Sequence, residues 1–269
     1  MKTRAITGFF FIIVMLASVI FNRYVFDGFY LVLSVLCLNE FYSLVKKAGI
    51  AVNKVTGLIN GAFFYAMFAL ITSNSEPDYQ KYAMLLTLTF GAVFVQELFK
   101  KSEAPFTNIA YTFLGLILII VPFCFFHGLG YIIDKYNFHF PLAFLLMLWA
   151  NDTGAYLVGM AIGKHKLFER HSPKKTWEGF IGGVLIAAGV GLLLGHYYKE
   201  IAVYHWAIIG IIIGVAGTTG DLVESMFKRS INVKDSGSIL PGHGGLLDRF
   251  DGLFLAVPVV YTYLYLITN

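Results

Sequence analysis

Charge is scarce in this 269-residue chain: Asp, Glu, Lys and Arg make up 13% of it, against about 25% in a typical soluble domain. Cysteine is nearly absent. Cys37 and Cys124 sit singly in apolar runs, so neither a disulfide framework nor a cysteine-based zinc site is suggested. There is no domain linker, low-complexity tract or clear internal repeat. What the chain has instead is apolar mass: 58% hydrophobic residues and a mean hydropathy of +0.72. A soluble protein of this size could not hide so much apolar surface. A soluble globular enzyme, a disordered chain and a fibrous repeat are therefore excluded, and a polytopic membrane protein remains.

Nine runs approach the roughly 20 apolar residues a spanning helix needs: 5–21, 28–45, 55–73, 82–99, 106–126, 140–162, 179–197, 203–222 and 252–267. They are continuously apolar and do not alternate, which argues against a β-barrel. The expected fold is all-α, a membrane helix bundle of about nine transmembrane helices. The first run could be a signal peptide, but no A-x-A-like site follows it, so it reads as a retained helix.

Nine spans sort the loops into two sets. One holds Lys2, Arg4, Lys46, Lys47, Lys54, Lys100, Lys101, Lys164, Lys166, Arg170, Lys174, Lys175, Lys228, Arg229, Lys234 and Arg249. Of the 20 Lys and Arg, only Arg23, Lys81, Lys135 and Lys199 fall in the other. Basic excess marks cytoplasmic loops, so the N-terminus is expected in the cytoplasm. Residues 1–135 read as a transmembrane scaffold of about five helices. Residues 136–269 read as the catalytic transmembrane region, with two cytoplasmic loops at 163–178 and 223–251.

Acids inside apolar spans are expensive and need a reason. Glu40 reads as a helix-packing or snorkelling carboxylate, and Glu97 as an interfacial residue beside Lys100 and Lys101. Asp152 lies near mid-span in Asn151-Asp152-Thr153-Gly154, a polar run that cannot all face lipid and that indicates a cavity or a helix interior. In the loop 163–178, Ser172 reads as a helix N-cap with Pro173 at the first helical position. Lys174, Lys175 and Thr176 beside that start suit an anionic phosphate, although positive-inside charge explains the basic residues too.

The second long loop is richer. If helical, Asp221, Glu224 and Ser225 share one face, and Asp248 and Asp251 are again three apart. Asp221, Asp248 and Asp251 are expected to converge at the membrane surface as a site for a hard divalent cation. Lys and Arg nearby suit phosphates, and the turn Pro241-Gly242-His243-Gly244-Gly245 would let backbone N–H groups approach an anion. His243 could be a ligand, a phosphate donor or a turn residue. These are parts for metal-assisted phosphoryl or nucleotidyl transfer. Nucleic-acid binding finds no support beyond basic loops that the membrane already explains.

At these residues the chain resembles the phosphatidate cytidylyltransferases, or CDP-diacylglycerol synthases. The resemblance is carried by Ser225, Lys228, Arg229, Lys234, Asp235, Gly237, Leu240, Pro241, His243, Gly244, Gly245, Asp248, Arg249 and Asp251. Residues 152–156 and 172–179, including Glu178, are similar as well. It implies the reaction of CTP with phosphatidate to give CDP-diacylglycerol and pyrophosphate in phospholipid synthesis. It further implies Mg²⁺, with K⁺ as a candidate companion, a homodimer, and a multi-pass protein of the cell (inner) membrane whose active site faces the cytoplasm. By the same resemblance Asp221, Asp248 and Asp251 hold the metal. Lys228, Arg229, Asp248 and Arg249 are catalytic. Asp152, Ser172, Lys174, Lys175, Thr176, Glu178, Ser225, Lys234, His243, Gly244 and Gly245 bind substrate. Two other readings stay open on the residues alone: a CTP-dependent polyprenol kinase, and an ion-coupled transporter with Asp152, Asp221 and Glu224 along its path.

Overall fold

A computed structural model describes residues 2–73, 77–133, 135–233, 236–237 and 244–268; the side chains of 2–6 and 77–80 fall outside it. Within these residues the chain is mainly helical: α1 (Lys2–Ile20), α2 (Arg23–Lys47), α3 (Lys54–Ser73), α4 (Leu85–Phe99), α5 (Pro105–Gly115), α6 (Val121–Leu129), α7 (His139–Ile162), α8 (Trp177–Tyr197), α9 (Val203–Ser230) and α10 (Leu247–Thr268). The π-helical turn Leu116–Ile120 joins α5 and α6 into one rod. Among the described residues, eight helical rods are long and apolar enough to cross a bilayer. The first run contributes the shorter apolar stretch Thr7–Ile20. All nine expected runs thus lie on helices, the fourth opening on the 3₁₀ segment Pro77–Met84. Cys37 and Cys124 are both free and buried.

Two boundaries differ from the sequence reading and bear on the site. Helix α9 does not stop near residue 222 but runs to Ser230, 28 residues in all. Lys228 Nζ lies 2.7 Å from Glu224 Oε2, an i,i+4 pair of the kind that supports continued helix. Helix α10 starts at Leu247, with Asp248 in its first turn, where a negative charge meets the positive end of the helix dipole.

The expected N-cap at Ser172 is corrected. Ser172–Thr176 forms strand β2, antiparallel to β1 (Lys166–Phe168), with Ser172 opposite Phe168 and Lys166 opposite Thr176. Cross-strand pairing outweighs the local Ser-Pro signal, and an edge strand tolerates the missing N–H of Pro173. The cap is Thr176 instead. Its backbone is extended (φ −126°, ψ 154°), and its Oγ1 accepts the Gly179 N–H at 3.2 Å.

The chain forms two compact units, Met1–Tyr136 with Asp235–Asp248, and Asn137–Lys234 with Arg249–Asn269. In the first, α2 and the α5–α6 rod are the most buried of the spanning elements. Tyr42 fits where Gly57 and Gly115 leave space, and its hydroxyl donates to Thr112 O at 2.7 Å. Nearer the start of α2, Phe26 and Tyr30 pack with Phe126 in the core, with Tyr30 and Phe126 ring centroids 4.7 Å apart. Glu97, 2% exposed, accepts from Asn53 Nδ2 at 2.8 Å and Asn108 Nδ2 at 2.7 Å, and pairs with Lys100 at 3.3 Å. The expected lysine contact is present, and two buried amides complete the carboxylate's partners.

The second unit is built on close approach of α7, α8 and α9. Apolar helices gain little hydrophobic energy by leaving lipid for one another, so small residues that let backbones touch supply the packing. A Cβ on Gly210 of α9 would stand 2.5 Å from Ala187 O of α8, whereas one on Gly189 would meet nothing within 4 Å. Overpacking of this kind costs about 1–3 kcal/mol. Gly210→Leu should therefore lower the thermal unfolding temperature in detergent, and Gly189→Ala, with open space and a helical backbone, should not lower it.

Candidate active site

In the second unit the long helix α9 carries Asp221 and Glu224 to its polar end, and the start of α10 supplies Asp251. Their approach is set by small residues. A Cβ on Gly220 would lie 2.5 Å from Asp251 O and 3.4 Å from Gly252 Cα, and Gly217 also faces Gly252. One carboxylate oxygen each from Asp221, Glu224 and Asp251 then fall within 4.8 Å of one another. Glu224 is 6% exposed. Asp251 Oδ1 accepts the Gly252 N–H at 2.8 Å, and Asp221 Oδ1 accepts from Ser225 Oγ at 3.3 Å. Lys175 of β2 forms an ion pair with Asp221, while Lys228 pairs with Glu224.

Beside this cluster lies a cavity of about 380 Å³. Asp152, Lys174, Lys175, Thr176, Thr218 and Asp221 give it polar walls; Ala155, Tyr156, Met160, Leu167 and Phe180 give it apolar ones. Asp152 sits in the field of Lys175, Asp221 and Arg249. The mid-span acid, the basic strand and the end of α9 thus meet around one space. A set of three carboxylate oxygens is the hard donor chemistry that a small divalent cation uses, and the adjacent ammonium groups suit phosphate oxygens.

Other expected residues are placed elsewhere. Glu178 closes the neck of the hairpin: its carboxylate accepts the Lys164 and His165 N–H groups at 3.1 and 3.2 Å, and His165 Nδ1 lies 2.6 Å from Oε1. Arg229 is exposed and donates to Val233 O at 3.2 Å. Arg249 is exposed on the first turns of α10. Lys234 and His243 lie outside the described residues.

Asp248 belongs to the first unit. Its carboxylate accepts the Gly245 N–H at 2.9 Å and the Ser236 N–H at 3.1 Å. The glycine turn therefore does not offer all its amides to an outside anion, because Gly245 N–H is taken by Asp248 and Leu246 N–H by Glu40 at 2.8 Å. Gly244 holds φ +83°, a backbone conformation natural to glycine. Sequence spacing singled out the three aspartates. The cluster that forms in the second unit joins Glu224 to Asp221 and Asp251, and the signal for Glu224 was its place three residues after Asp221 on the same helix.

A multi-helix membrane protein with an acidic, cation-flanked cavity is the class these features define. The chain matches the cytidylyltransferase family over residues 2–267 and belongs to it. It is 34% identical over 264 residues to the phosphatidate cytidylyltransferase of Staphylococcus aureus (strain COL), covering 97% of each chain. It is also 34% identical over 272 residues to that of Bacillus subtilis (strain 168), covering 97% of this chain and 96% of the relative.

The cluster's donor set makes a direct prediction. Mn²⁺ titrated into the purified protein and followed by electron paramagnetic resonance should bind, and Asp251→Asn should weaken that binding by at least the roughly 10-fold that loss of even an outer-shell partner costs.

Proposed function

We propose that the chain is a phosphatidate cytidylyltransferase, which transfers the cytidylyl group of CTP to phosphatidate and releases pyrophosphate. The observation that carries this reading is the Asp221–Glu224–Asp251 cluster opening beside a lysine-bearing cavity in a chain of this family. Its supports on the product side are the full-length relatives, whose named activity is this one.

The phosphatidate phosphate is already an anionic nucleophile, so no strong general base is required. One of its oxygens forms a bond to the α-phosphorus of CTP, and the bridging bond to the β-phosphate breaks, with pyrophosphate leaving in line. Two anions must approach, and the protein's own cations offset their repulsion. Lys174 and Lys175 line the cavity, with Lys228 at the acidic cluster, and Arg229 and Arg249 are further candidates for phosphate contacts. Asp152, Thr176, Ser225 and Gly244 are candidate substrate contacts, and Asp248 a candidate catalytic or metal-binding carboxylate. Mg²⁺ fits the carboxylate set: Asp221, Glu224 and Asp251 would hold it, and when bound it supplies charge neutralisation at the phosphates. The loop charges favour a cytoplasmic N-terminus and a cytoplasmic site, so that CTP arrives from water and the lipid from the adjoining leaflet.

Purified protein incubated with phosphatidate, Mg²⁺ and each of the four ribonucleoside triphosphates should yield CDP-diacylglycerol from CTP, read by lipid mass analysis. Phosphorylated lipid with CDP would instead indicate a kinase, and ion counterflow in proteoliposomes without transfer would indicate a transporter. Asp221→Ala should reduce turnover by at least about 10²-fold, the scale for losing a key electrostatic group, in a protein that still inserts and folds.

A further inference from the structure

Glu40 has no part in the mechanism above, yet it is among the most buried charged residues, 4% exposed. It rises from α2, and both carboxylate oxygens are used. Oε1 accepts the hydroxyl of Ser236, and Oε2 accepts the Leu246 N–H at 2.8 Å. The neighbouring glycines leave room for it: a Cβ on Gly237 would lie 2.7 Å from Oε1, and one on Gly245 would overlap it. From the other direction Asp248 accepts the Ser236 and Gly245 N–H groups. Two carboxylates from distant parts of the sequence thus hold Ser236 and the backbone at Gly245 and Leu246, and Ser236 donates to both, through its hydroxyl to Glu40 and its amide to Asp248.

We propose that Glu40 is a positioning residue for the transfer reaction, acting by tying Ser236 to the turn at Gly245 and Leu246 so that the Asp248 carboxylate is held in one orientation. The inference rests on the reading of Asp248 as a site residue given above. A carboxylate suits this task better than a neutral side chain. It presents two acceptors to two converging donors, and charge-assisted bonds are shorter and stronger than neutral ones. A residue serving only to pack α2 would need no charge and would not require glycine at both 237 and 245. Residues that orient a site group from behind are worth about 10–100-fold in activity.

The test pairs kinetics with hydrogen–deuterium exchange on the full-length protein in detergent. Glu40→Ala should lower kcat about 10–100-fold with little change in KM for CTP. It should also speed exchange in the peptide carrying Gly245 and Leu246, while exchange in α7 to α9 stays as in the wild type. Glu40→Gln keeps one acceptor oxygen and should recover only part of the rate, with exchange at the turn between those of Glu40→Ala and the wild type; Glu40→Asp, one methylene short, should recover less. Normal kcat in folded Glu40→Ala overturns the proposal, and so does a lost rate with unchanged exchange at the turn. If Glu40→Ala does not fold, Glu40→Gln and Ser236→Ala decide: faster exchange at the turn supports the lock, and wild-type exchange in both overturns it. Wild-type protein that makes no CDP-lipid overturns the functional reading alone, and the exchange measurement still decides whether Glu40 holds the turn.

Discussion

Negative charge gathered in a small space is the constraint on which the second unit depends. Ligand oxygens of Asp221, Glu224 and Asp251 fall within 4.8 Å of one another, and two unit charges that far apart repel by about 3 kcal/mol at an effective dielectric of about 20. Nothing in the acids themselves favours this arrangement. It is imposed by helix packing, through Gly217 and Gly220 of α9 against Gly252 of α10. It is relieved by Lys175 on Asp221 and Lys228 on Glu224. A multivalent cation and a polyphosphate are a natural complement to such a site, the one meeting the carboxylates and the other the ammonium groups.

Much of the fold was legible because the signal is coarse. A run of about 20 apolar residues can do little but form a helix in lipid, where each backbone polar group must be satisfied within its own segment. Helix ends were less legible because they depend on polar neighbours. The apolar run of α9 fades near residue 222, but the Glu224–Lys228 pair carries the helix on to Ser230. At Ser172 a local rule misled. Ser-Pro looks like a helix start, and only the pairing with Phe168 across the hairpin shows that the strand continues to Thr176.

The polar groupings divide in the same way. Asp221, Glu224 and Ser225 could be joined from spacing alone, since one helix face carries them. The meeting of Asp152 with Lys175 and Asp221 around a cavity needed the packing of α7 against α8 and α9. Glu40 was illegible. Its partner Ser236 lies 196 residues away, and a single acid in an apolar helix gives no local sign of what it meets. The glycines at 237 and 245 were visible in the sequence, but their purpose, making space for a carboxylate from α2, was not.

The length of α9 has a consequence for where a lipid can react. At about 1.5 Å per residue, its 28 residues extend about 42 Å, well beyond the roughly 30 Å of a hydrocarbon layer. Its apolar part covers that thickness by about Leu222, so along the bilayer normal the final two turns would reach into the headgroup layer. On the proposed function, Glu224 and Lys228 at that end of α9 would stand close to the depth at which a phospholipid keeps its phosphate. Such a substrate would reach the site by lateral diffusion, with its acyl chains still in the leaflet.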